Sequence, residues 1–285
     1  MPIEFDRVTY TYPCAQKPAV QELSLRIPPG RRCGLIGRNG CGKSTLLRLA
    51  DGLFRPDRGK LYWQGKPLDY SRKSLRTLRQ QVGLVFQDPE HQLVATTVEE
   101  DISYGLCNLG LPESEIADRV QRTLEDFDLL ELANTPINHL SLGQKKRVAI
   151  ADVMVLQPQL LLMDEPTAYL DPAQTRTLFS QLERIHAAGT TALIATHDLD
   201  FIYAWADWLM VMDCGRIVLE GPAEQVFDRH EELSALGLGL PLAVDLLIIL
   251  EDNNVSVKTV RSQILKRLRC GGYRSFNEEN SLRSV

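Results

Sequence analysis

One stretch of the sequence combines glycines, a lysine and two hydroxyl residues at a spacing suited to binding phosphate. It contains Gly37, Arg38, Asn39, Gly40, Cys41, Gly42, Lys43, Ser44 and Thr45. This order satisfies the pattern G-x-x-x-x-G-K-[ST] between a short strand pattern and a helical pattern. Glycines let several backbone N–H groups point inward, and the following helix adds its positive end. The stretch predicts a nucleotide-binding loop rather than a simple turn, with Lys43 on the β- and γ-phosphates and Ser44 on magnesium.

Two adjacent carboxylates end an apolar stretch further along the chain. Residues 160–163 are Leu, Leu, Leu and Met, and Asp164 and Glu165 follow them directly. Alone, an acidic residue after a buried strand is often only the cap of the next helix. Beside a phosphate-binding loop, however, the first carboxylate is placed to hold magnesium and the second to polarise the attacking water. We therefore predict Asp164 as a magnesium ligand and Glu165 as a catalytic residue.

A third motif narrows the class of nucleotide-binding protein. It reads Leu140-Ser141-Leu142-Gly143-Gln144 and resembles the L-S-G-G-Q signature of ATP-binding-cassette (ABC) proteins, with Leu142 in place of a glycine. Taken by itself, such a stretch is more often only the start of a helix. In the family, the signature of one protomer covers the γ-phosphate that the other protomer holds. The resemblance thus implies that Ser141, Gly143 and Gln144 act on ATP across a dimer.

Four further residues match landmarks of the same family, in the family's order along the chain. The resemblance implies that Tyr12 stacks on adenine, that Gln87 senses magnesium and the membrane partner, and that His197 contacts the γ-phosphate. It also implies that Asp171 belongs to a segment linking the two catalytic sites. Separately, these residues have plainer explanations: strand packing, an exposed glutamine, a structural histidine and a helix cap before Pro172. The order of these four residues along the chain favours the resemblance to the ABC family over the plainer explanations.

The resemblance therefore implies a full set of site residues. Glu165, His197 and Gln87 would be catalytic, and Ser44, Gln87 and Asp164 would hold Mg²⁺. The predicted ATP-binding residues are Tyr12, Gly37, Asn39, Gly40, Cys41, Gly42, Lys43, Ser44, Thr45, Ser141, Gly143, Gln144 and Asp171.

Three segments sharpen the resemblance to the ATPase of cobalt-type energy-coupling-factor (ECF) importers, namely residues 86–92, 97–101 and 108–111. Those importers take up transition-metal ions, such as cobalt or nickel, or vitamins. The resemblance implies a head-to-tail dimer with an identical or paralogous chain. It would act at the cytoplasmic face of the cell membrane as a peripheral subunit, touching the membrane only through transmembrane partner subunits.

Alternative functions are an ABC ATPase with unrelated cargo and a soluble ABC ATPase that acts on chromosomes, ribosomes or repair complexes. That second class usually carries two cassettes or a long coiled-coil insertion, and neither pattern is present. A regulator that binds nucleotide without hydrolysis is disfavoured because Glu165 and His197 are both there.

The elements that must position these residues alternate between strands and helices. Predicted strands cover residues 3–12, 23–27, 32–36, 59–64, 82–86, 160–163 and 191–195, and a hairpin joins 208–212 to 216–219. Helical spacing is present at 116–127 behind Pro112, and at 178–185 before Gly189. This alternation predicts an α/β fold with a mostly parallel core sheet. The resemblance implies a P-loop NTPase of the ABC type, with an antiparallel β subdomain and a helical subdomain at about 88–158.

The domain prediction is an ATP-binding domain over residues 1–230 and a carboxy-terminal appendage over 231–285. The resemblance associates the appendage with pairing of two ATPases. Leu242, Leu246 and Ile249 could form one interface stripe, or the helix could pack on its own domain. The polar tail after Gly271 is expected to fray.

Composition bounds the remaining possibilities. The 285 residues include 32 basic and 37 acidic side chains, and the net charge of -5 argues against nucleic-acid binding. Six cysteines without C-x-x-C spacing are expected to be reduced thiols in a cytosolic protein. The amino terminus lacks a secretory pattern. Residues 233–250 are apolar but interrupted by glycines, Pro241 and Asp245, which favours packing against protein over a membrane span.

Overall fold

The computed structural model describes residues 3–252, 260 and 263–264. Its strands are β1 (Ile3–Tyr10), β2 (Val20–Arg26), β3 (Arg32–Ile36), β4 (Arg58–Trp63), β5 (Lys66–Pro67), β6 (Val82–Val85), β7 (Leu160–Asp164), β8 (Thr191–Ala195), β9 (Trp208–Asp213) and β10 (Arg216–Pro222). Its helices are α1 (Lys43–Ala50), α2 (Arg72–Gln81), α3 (Val98–Leu109), α4 (Glu113–Asp126), α5 (Leu142–Met154), α6 (Pro172–Ala187), α7 (Leu199–Trp205), α8 (Ala223–Phe227), α9 (His230–Ala235) and α10 (Leu242–Asp252).

Two sheets organise the described part of the chain. The core sheet has the strand order β10-β9-β3-β8-β7-β6, and its pairs are parallel except for the β9–β10 hairpin. The other sheet has the order β2-β1-β4-β5 and is antiparallel throughout. The predicted α/β class, the antiparallel β subdomain and the closing hairpin are confirmed.

The central strands of the core sheet bring the predicted site residues to one edge. β3, β7 and β8 are buried along their whole length, as expected for parallel strands with both faces covered. In parallel strands the carboxyl ends meet at the same edge, which is where α/β sheets bind ligands. The glycine-rich loop follows β3, Gln87 follows β6, Glu165 follows β7 and His197 follows β8. Topology thus gathers motifs that lie far apart in sequence.

A helical lobe made of α3, α4 and α5 lies between β6 and β7 in the chain. Side chains fix where two of these helices begin, since Thr97 and Ser141 each form a reciprocal capping box with a residue three positions later. The helix predicted over 116–127 is α4, which buries Val120 and Leu124. The predicted helical subdomain at about 88–158 contains all three helices.

The first predicted strand was wrong at its carboxyl end. β1 stops at Tyr10, and Tyr12 lies in the loop that follows. Two contacts turn the chain away from the sheet: the N–H of Thr11 donates to Asp57 Oδ2 at 2.8 Å, and the N–H of Ala15 donates to the Tyr12 carbonyl at 3.0 Å.

The described part of the appendage packs on the domain through one side of α10. Val244 and Leu247 are buried, whereas Leu242, Leu246 and Ile249 are 55%, 39% and 55% exposed. The helix therefore packs on its own domain and also carries an exposed apolar stripe. The boundary near residue 230 and the pairing role remain predictions, and Cys270 and the tail after Gly271 lie outside the described residues. Among the helices that the structure describes, none combines the length and apolarity needed to span a bilayer.

Candidate active site

An open cleft of about 1040 Å³ is lined by residues that follow the carboxyl ends of the core strands. The predicted site residues that it brings together are Tyr12, Asn39, Gly40, Gly42, Lys43, Ser44, Thr45, Gln87, Asp164, Glu165 and His197. Lys17, Gln21 and Cys214 also line the cleft, and the sequence motifs did not reveal them. They come from the loop before β2, from β2 itself and from the β9–β10 turn, so only the tertiary fold places them here.

The glycine-rich loop wraps around the ammonium group of Lys43. Lys43 Nζ donates to the carbonyl oxygens of Gly37 at 2.7 Å and Arg38 at 3.3 Å. Gly42 precedes α1 in the left-handed region with φ 113°. A Cβ at Gly42 would overlap the Ala19 carbonyl, and one at Gly37 would overlap the Met212 carbonyl. These close approaches explain why the loop needs glycine at both positions.

Two predicted residues of the loop support it from behind rather than line the cleft. The carbonyl of Gly37 holds Lys43, and Cys41 is buried. Burial raises the pKa of the Cys41 thiol, so the sulfur serves as an apolar packing group. The N-terminus of α1 begins at Lys43, so its positive end adjoins the loop where phosphate would lie.

Asp164 carries a buried carboxylate suited to a cation. Its Oδ1 has no hydrogen-bond partner among the described residues. Burial raises the pKa of Asp164, and a hydrogen bond with the Ser44 hydroxyl works in the opposite direction. A buried oxygen without a partner is costly unless a ligand satisfies it. Ser44, Asp164 and the side-chain oxygen of Gln87 together offer the hard ligands that Mg²⁺ prefers, so the residues fit this ion.

Glu165 is held by groups that follow β8. Its Oε2 accepts hydrogen bonds from Thr196 Oγ1 at 2.8 Å and from the His197 N–H at 3.3 Å, and lies 2.9 Å from His197 Nδ1. The backbone of Glu165 turns through φ 47°, a left-handed conformation that non-glycine residues seldom adopt. A role for Thr196 in the site was not predicted from the sequence, although this residue directly precedes His197. Glu165 is buried and held, whereas the His197 side chain is 68% exposed.

The signature residues lie outside this cleft. Ser141 and Gln144 form the capping box of α5, since the Ser141 N–H donates to Gln144 Oε1 at 2.8 Å and the Gln144 N–H donates to Ser141 Oγ at 3.3 Å. A Cβ at Gly143 would overlap the side-chain amide of Gln174. Gln174 in turn receives a hydrogen bond from the Asp171 N–H at 3.1 Å and donates its own N–H to the Asp171 carboxylate at 2.8 Å.

Ser141 and Asp171 therefore serve as helix caps. A helix start and a helix cap were the alternatives to a role in ATP binding that the sequence left open for these two residues. The signature and the Asp171 turn meet at Gln174. Neither motif lines the cleft that holds Lys43 and Glu165.

Comparison with known proteins assigns the family. Residues 20–168 match the model of the ABC transporter family. This chain belongs to the ABC transporter ATP-binding proteins. It is 58% identical over 246 residues to an ABC transporter ATP-binding protein of Nostoc sp., with 86% of this chain and 90% of that protein covered. The family carries the ATPase activity, so the chain is an ABC ATPase.

Two further relatives belong to the same family. The cobalt import ATP-binding protein CbiO of Salmonella paratyphi A is 46% identical over 230 residues, with 81% of this chain and 85% of that protein covered. The structure of CbiO1 from Clostridium perfringens, described as part of the ABC transporter complex cbiONQ, superimposes with a TM-score of 0.74. It is 38% identical, and the match covers 86% of this chain and 98% of that chain.

Tyr12 is one of the residues that line the cleft of this ABC ATPase, and it lies beside a small aromatic cluster. Its ring meets Phe54 edge-on, with centroids 5.6 Å apart, and its hydroxyl lies 3.0 Å from Thr45 Oγ1. These contacts hold the ring in place next to the phosphate-binding loop. The Tyr12 ring therefore packs against a neighbouring aromatic ring and also lines the cleft. Stacking of this ring on adenine remains a prediction.

Proposed function

We propose that this ABC ATPase is the ATP-hydrolysing subunit of an ECF-type importer and works as a head-to-tail dimer. The observation that carries the proposal is the separation of two sets of residues. Lys43, Asp164, Glu165 and His197 share one cleft, whereas Ser141 and Gly143 lie outside it. A site that needs both sets is completed when a second ATPase chain presents its signature to this cleft.

In the proposed reaction, the chain positions ATP and a water molecule. Lys43 and the loop amides bind the phosphates, and Tyr12 stacks on adenine. Ser44, Asp164 and Gln87 would hold Mg²⁺, which supplies neutralisation of phosphate charge when bound. Water attacks the γ-phosphorus as the bond to the β,γ-bridging oxygen breaks, giving ADP and inorganic phosphate.

Glu165 would polarise the attacking water. Among the described residues, the hydrogen bonds to its carboxylate all use Oε2, so Oε1 can accept from water. His197 would contact the γ-phosphate while also bordering Glu165. Positioning and electrostatic stabilisation, rather than covalent chemistry, then supply most of the acceleration.

The second protomer would contribute Ser141, Gly143 and Gln144 to each ATP. Asp171 would link the two sites, and its shared partner Gln174 supports this role because Gln174 also contacts the signature helix at Gly143. The second chain is either identical or a paralogue.

The similarity to CbiO proteins supports an importer of cobalt or nickel ions, or of a vitamin. The cargo would cross the membrane through separate transmembrane subunits. This chain would then act at the cytoplasmic face of the cell membrane as a peripheral subunit, and it would bind no nucleic acid.

Complementation tests the composite site. Lys43→Ala damages the phosphate loop, and Ser141→Arg damages the signature. In an equal mixture that exchanges subunits, half of the dimers are mixed, and each mixed dimer retains one intact site. We expect each variant alone to be inactive and the mixture to regain a measurable fraction of the wild-type ATPase rate, with about a quarter as the upper limit for one intact site in half of the dimers. A mixture no more active than its components would contradict completion of the site across a dimer.

Two further experiments address the importer. Affinity purification of this chain from detergent-solubilised membranes should recover transmembrane subunits in a stable complex. Cells lacking the chain should lose uptake of radiolabelled cobalt or nickel, or of a vitamin, and regain it with the wild-type chain but not with Lys43→Ala. Uptake of all these cargoes that does not depend on the chain would disprove the cargo assignment.

A further inference from the structure

A lysine of the signature helix reaches the main chain of two predicted catalytic residues. Lys146 lies five positions after Ser141 and is 2% exposed. Its Nζ donates to the Gln87 carbonyl at 2.6 Å and lies 3.4 Å from the Glu165 carbonyl. One ammonium group therefore bridges the end of β6, the end of β7 and helix α5.

Carbonyl oxygens and nearby carboxylates partly offset the cost of burying the Lys146 ammonium group. Burial lowers the pKa of Lys146 to about 8, and the negative charges of Asp164, Asp88 and Glu165 work in the opposite direction. A buried ammonium is costly unless charges or carbonyl oxygens compensate it. Its two carbonyl partners follow the adjacent paired strands β6 and β7, so its position affects both.

Neighbouring contacts bind the same segment of chain to α5. Lys145 Nζ lies 2.6 Å from Glu90 Oε1, and Gln92 Nε2 donates to the Ala149 carbonyl at 2.7 Å. Gln92 Oε1 also accepts from the Phe86 N–H at 3.3 Å, next to Gln87. The segment from Phe86 to Gln92 is thus attached to the helix that begins at the signature. Lys146 alone among these residues extends that attachment to Glu165.

We propose that Lys146 is a positioning residue that couples the signature helix to Gln87 and Glu165 of the same chain. The inference rests on the proposed function, in which the signature engages ATP held by the second protomer. A displacement of α5 on that engagement moves Nζ against both carbonyls, and so aligns the chain's own catalytic residues. Engagement of the partner's nucleotide by a protomer's signature then speeds hydrolysis of that protomer's own ATP.

Replacing Lys146 by Met tests the coupling. The change keeps an unbranched side chain and removes the charge and the hydrogen-bond donor. Because misplacement of catalytic groups by about 1 Å can slow a reaction roughly 100-fold, we expect kcat to fall at least about 10-fold. ATP affinity, measured with a fluorescent ATP analogue, should stay within about 2-fold, because Lys146 does not line the cleft.

Lys145→Met is the matched control, since it makes the same change one residue earlier and removes only the ion pair with the exposed Glu90 side chain. It should retain at least about half of the wild-type kcat, because Lys145 contacts neither the Gln87 nor the Glu165 carbonyl and the Glu90 end of its ion pair is 61% exposed to solvent. Lys146→Gln keeps a donor on a shorter side chain and should recover part of the lost kcat. If Lys146→Met fails to fold, Lys146→Gln decides, with lower kcat at unchanged ATP affinity and melting temperature as the required result.

Equal kcat in the two Met variants would overturn the proposal, as would a parallel loss of kcat and ATP affinity in Lys146→Met. Failure of the proposed function looks different: wild-type protein would not hydrolyse ATP, or Glu165→Gln would hydrolyse it normally. The Lys146 result is therefore interpreted against wild-type and Glu165→Gln protein measured in parallel.

Discussion

The carboxylate of Glu165 and the imidazole of His197 are direct neighbours, with Oε2 2.9 Å from Nδ1. They follow β7 and β8, adjacent parallel strands in which Asp164 pairs with Ala195. Their contact places the residue predicted to polarise water beside the residue predicted to reach the γ-phosphate. A ligand that draws His197 toward phosphate would also alter how Glu165 is held.

Glu165→Gln should leave ATP binding intact and slow turnover at least about 100-fold, because loss of a positioned base typically removes that much. The amide keeps the shape of the carboxylate but accepts a proton poorly. Phosphate release measures the loss, and size-exclusion chromatography with ATP should reveal a trapped dimer. Glu131→Gln, an exposed change in the helical lobe, serves as the control. Hydrolysis at the wild-type rate in Glu165→Gln would exclude the catalytic role.

His197→Ala should also reduce kcat, and its effect should depend on Glu165. Residues in contact show non-additive effects when both are changed. We therefore expect His197→Ala to slow wild-type protein strongly, but to change little in protein that already carries Glu165→Gln. A double-mutant cycle on kcat measures this coupling. Additive losses would indicate that the two residues act independently.

Tyr12→Ala should weaken binding of ATP by roughly 5- to 100-fold, the range for loss of one aromatic stacking contact on a base. Binding of inorganic triphosphate, which lacks adenine, should be unchanged. Tyr12→Phe keeps the ring beside Phe54 and removes only the hydroxyl that lies 3.0 Å from Thr45 Oγ1, so it should bind ATP nearly normally. Calorimetry with ATP and with inorganic triphosphate separates binding of the adenine from binding of the phosphates. An ATP affinity of Tyr12→Ala equal to that of wild type would refute stacking.

Much of the fold could be predicted from local patterns. β3 and β8 were predicted with their observed ends, since each is a short apolar strand bounded by turn or polar residues. The end of β1 could not be, because the turn at Thr11 depends on Asp57, which is distant in the chain. Strand order likewise follows from long-range pairing that a single sequence does not display.

The candidate site also contains residues that local sequence motifs reveal and residues that only long-range contacts reveal. Lys43, Asp164 and His197 belong to recognisable motifs at strand ends, and the structure brings them into one cleft. Thr196 and Lys146 belong to no such motif in the sequence, and their importance depends on distances to Glu165. Burial of a lysine within a helix has no clear local signature, because the helix face that is covered depends on tertiary packing.

Asp152 should make stability depend on pH. Burial raises its pKa to about 7, and the nearby charge of Asp101 adds to the effect. An unfolded chain ionises Asp near pH ~4, so the folded state holds this proton more tightly. The charged carboxylate therefore destabilises the fold fully above about pH 7, and the penalty falls as pH decreases toward ~4. Asp152→Asn should raise the melting temperature at pH 8 by at least about 2 °C.

Asp152→Asn should no longer have a higher melting temperature than wild type near pH ~4–5, where wild-type Asp152 is protonated in the folded state. Asp118→Asn is the matched control, because Asp118 forms a surface pair with Arg122 in which both side chains are 73% exposed. Its melting temperature should follow wild type across the range. A pH-independent difference for Asp152→Asn would show that the pKa of Asp152 is not raised.

Arg32 should be important for stability because it joins three elements of the core. Its guanidinium donates to Asp207 at 3.0 and 2.7 Å and to Glu183 at 2.6 Å, which ties β3 to α6 and to the start of β9. Removing one partner of a buried ion pair typically costs 3–5 kcal/mol, and the 37% exposure of Glu183 reduces this. We expect Arg32→Met to lower the free energy of unfolding by about 2–3 kcal/mol.

Arg184→Met provides the comparison from the same helix as Glu183. Arg184 pairs with Asp126 at 2.8 Å, but the two side chains are 58% and 64% exposed. Solvent screens such a pair, so its loss should cost less than about 1 kcal/mol. Urea unfolding of both variants measures the difference directly. If Arg32→Met were no less stable than Arg184→Met, the bidentate contact to Asp207 would contribute nothing to joining β3 and β9.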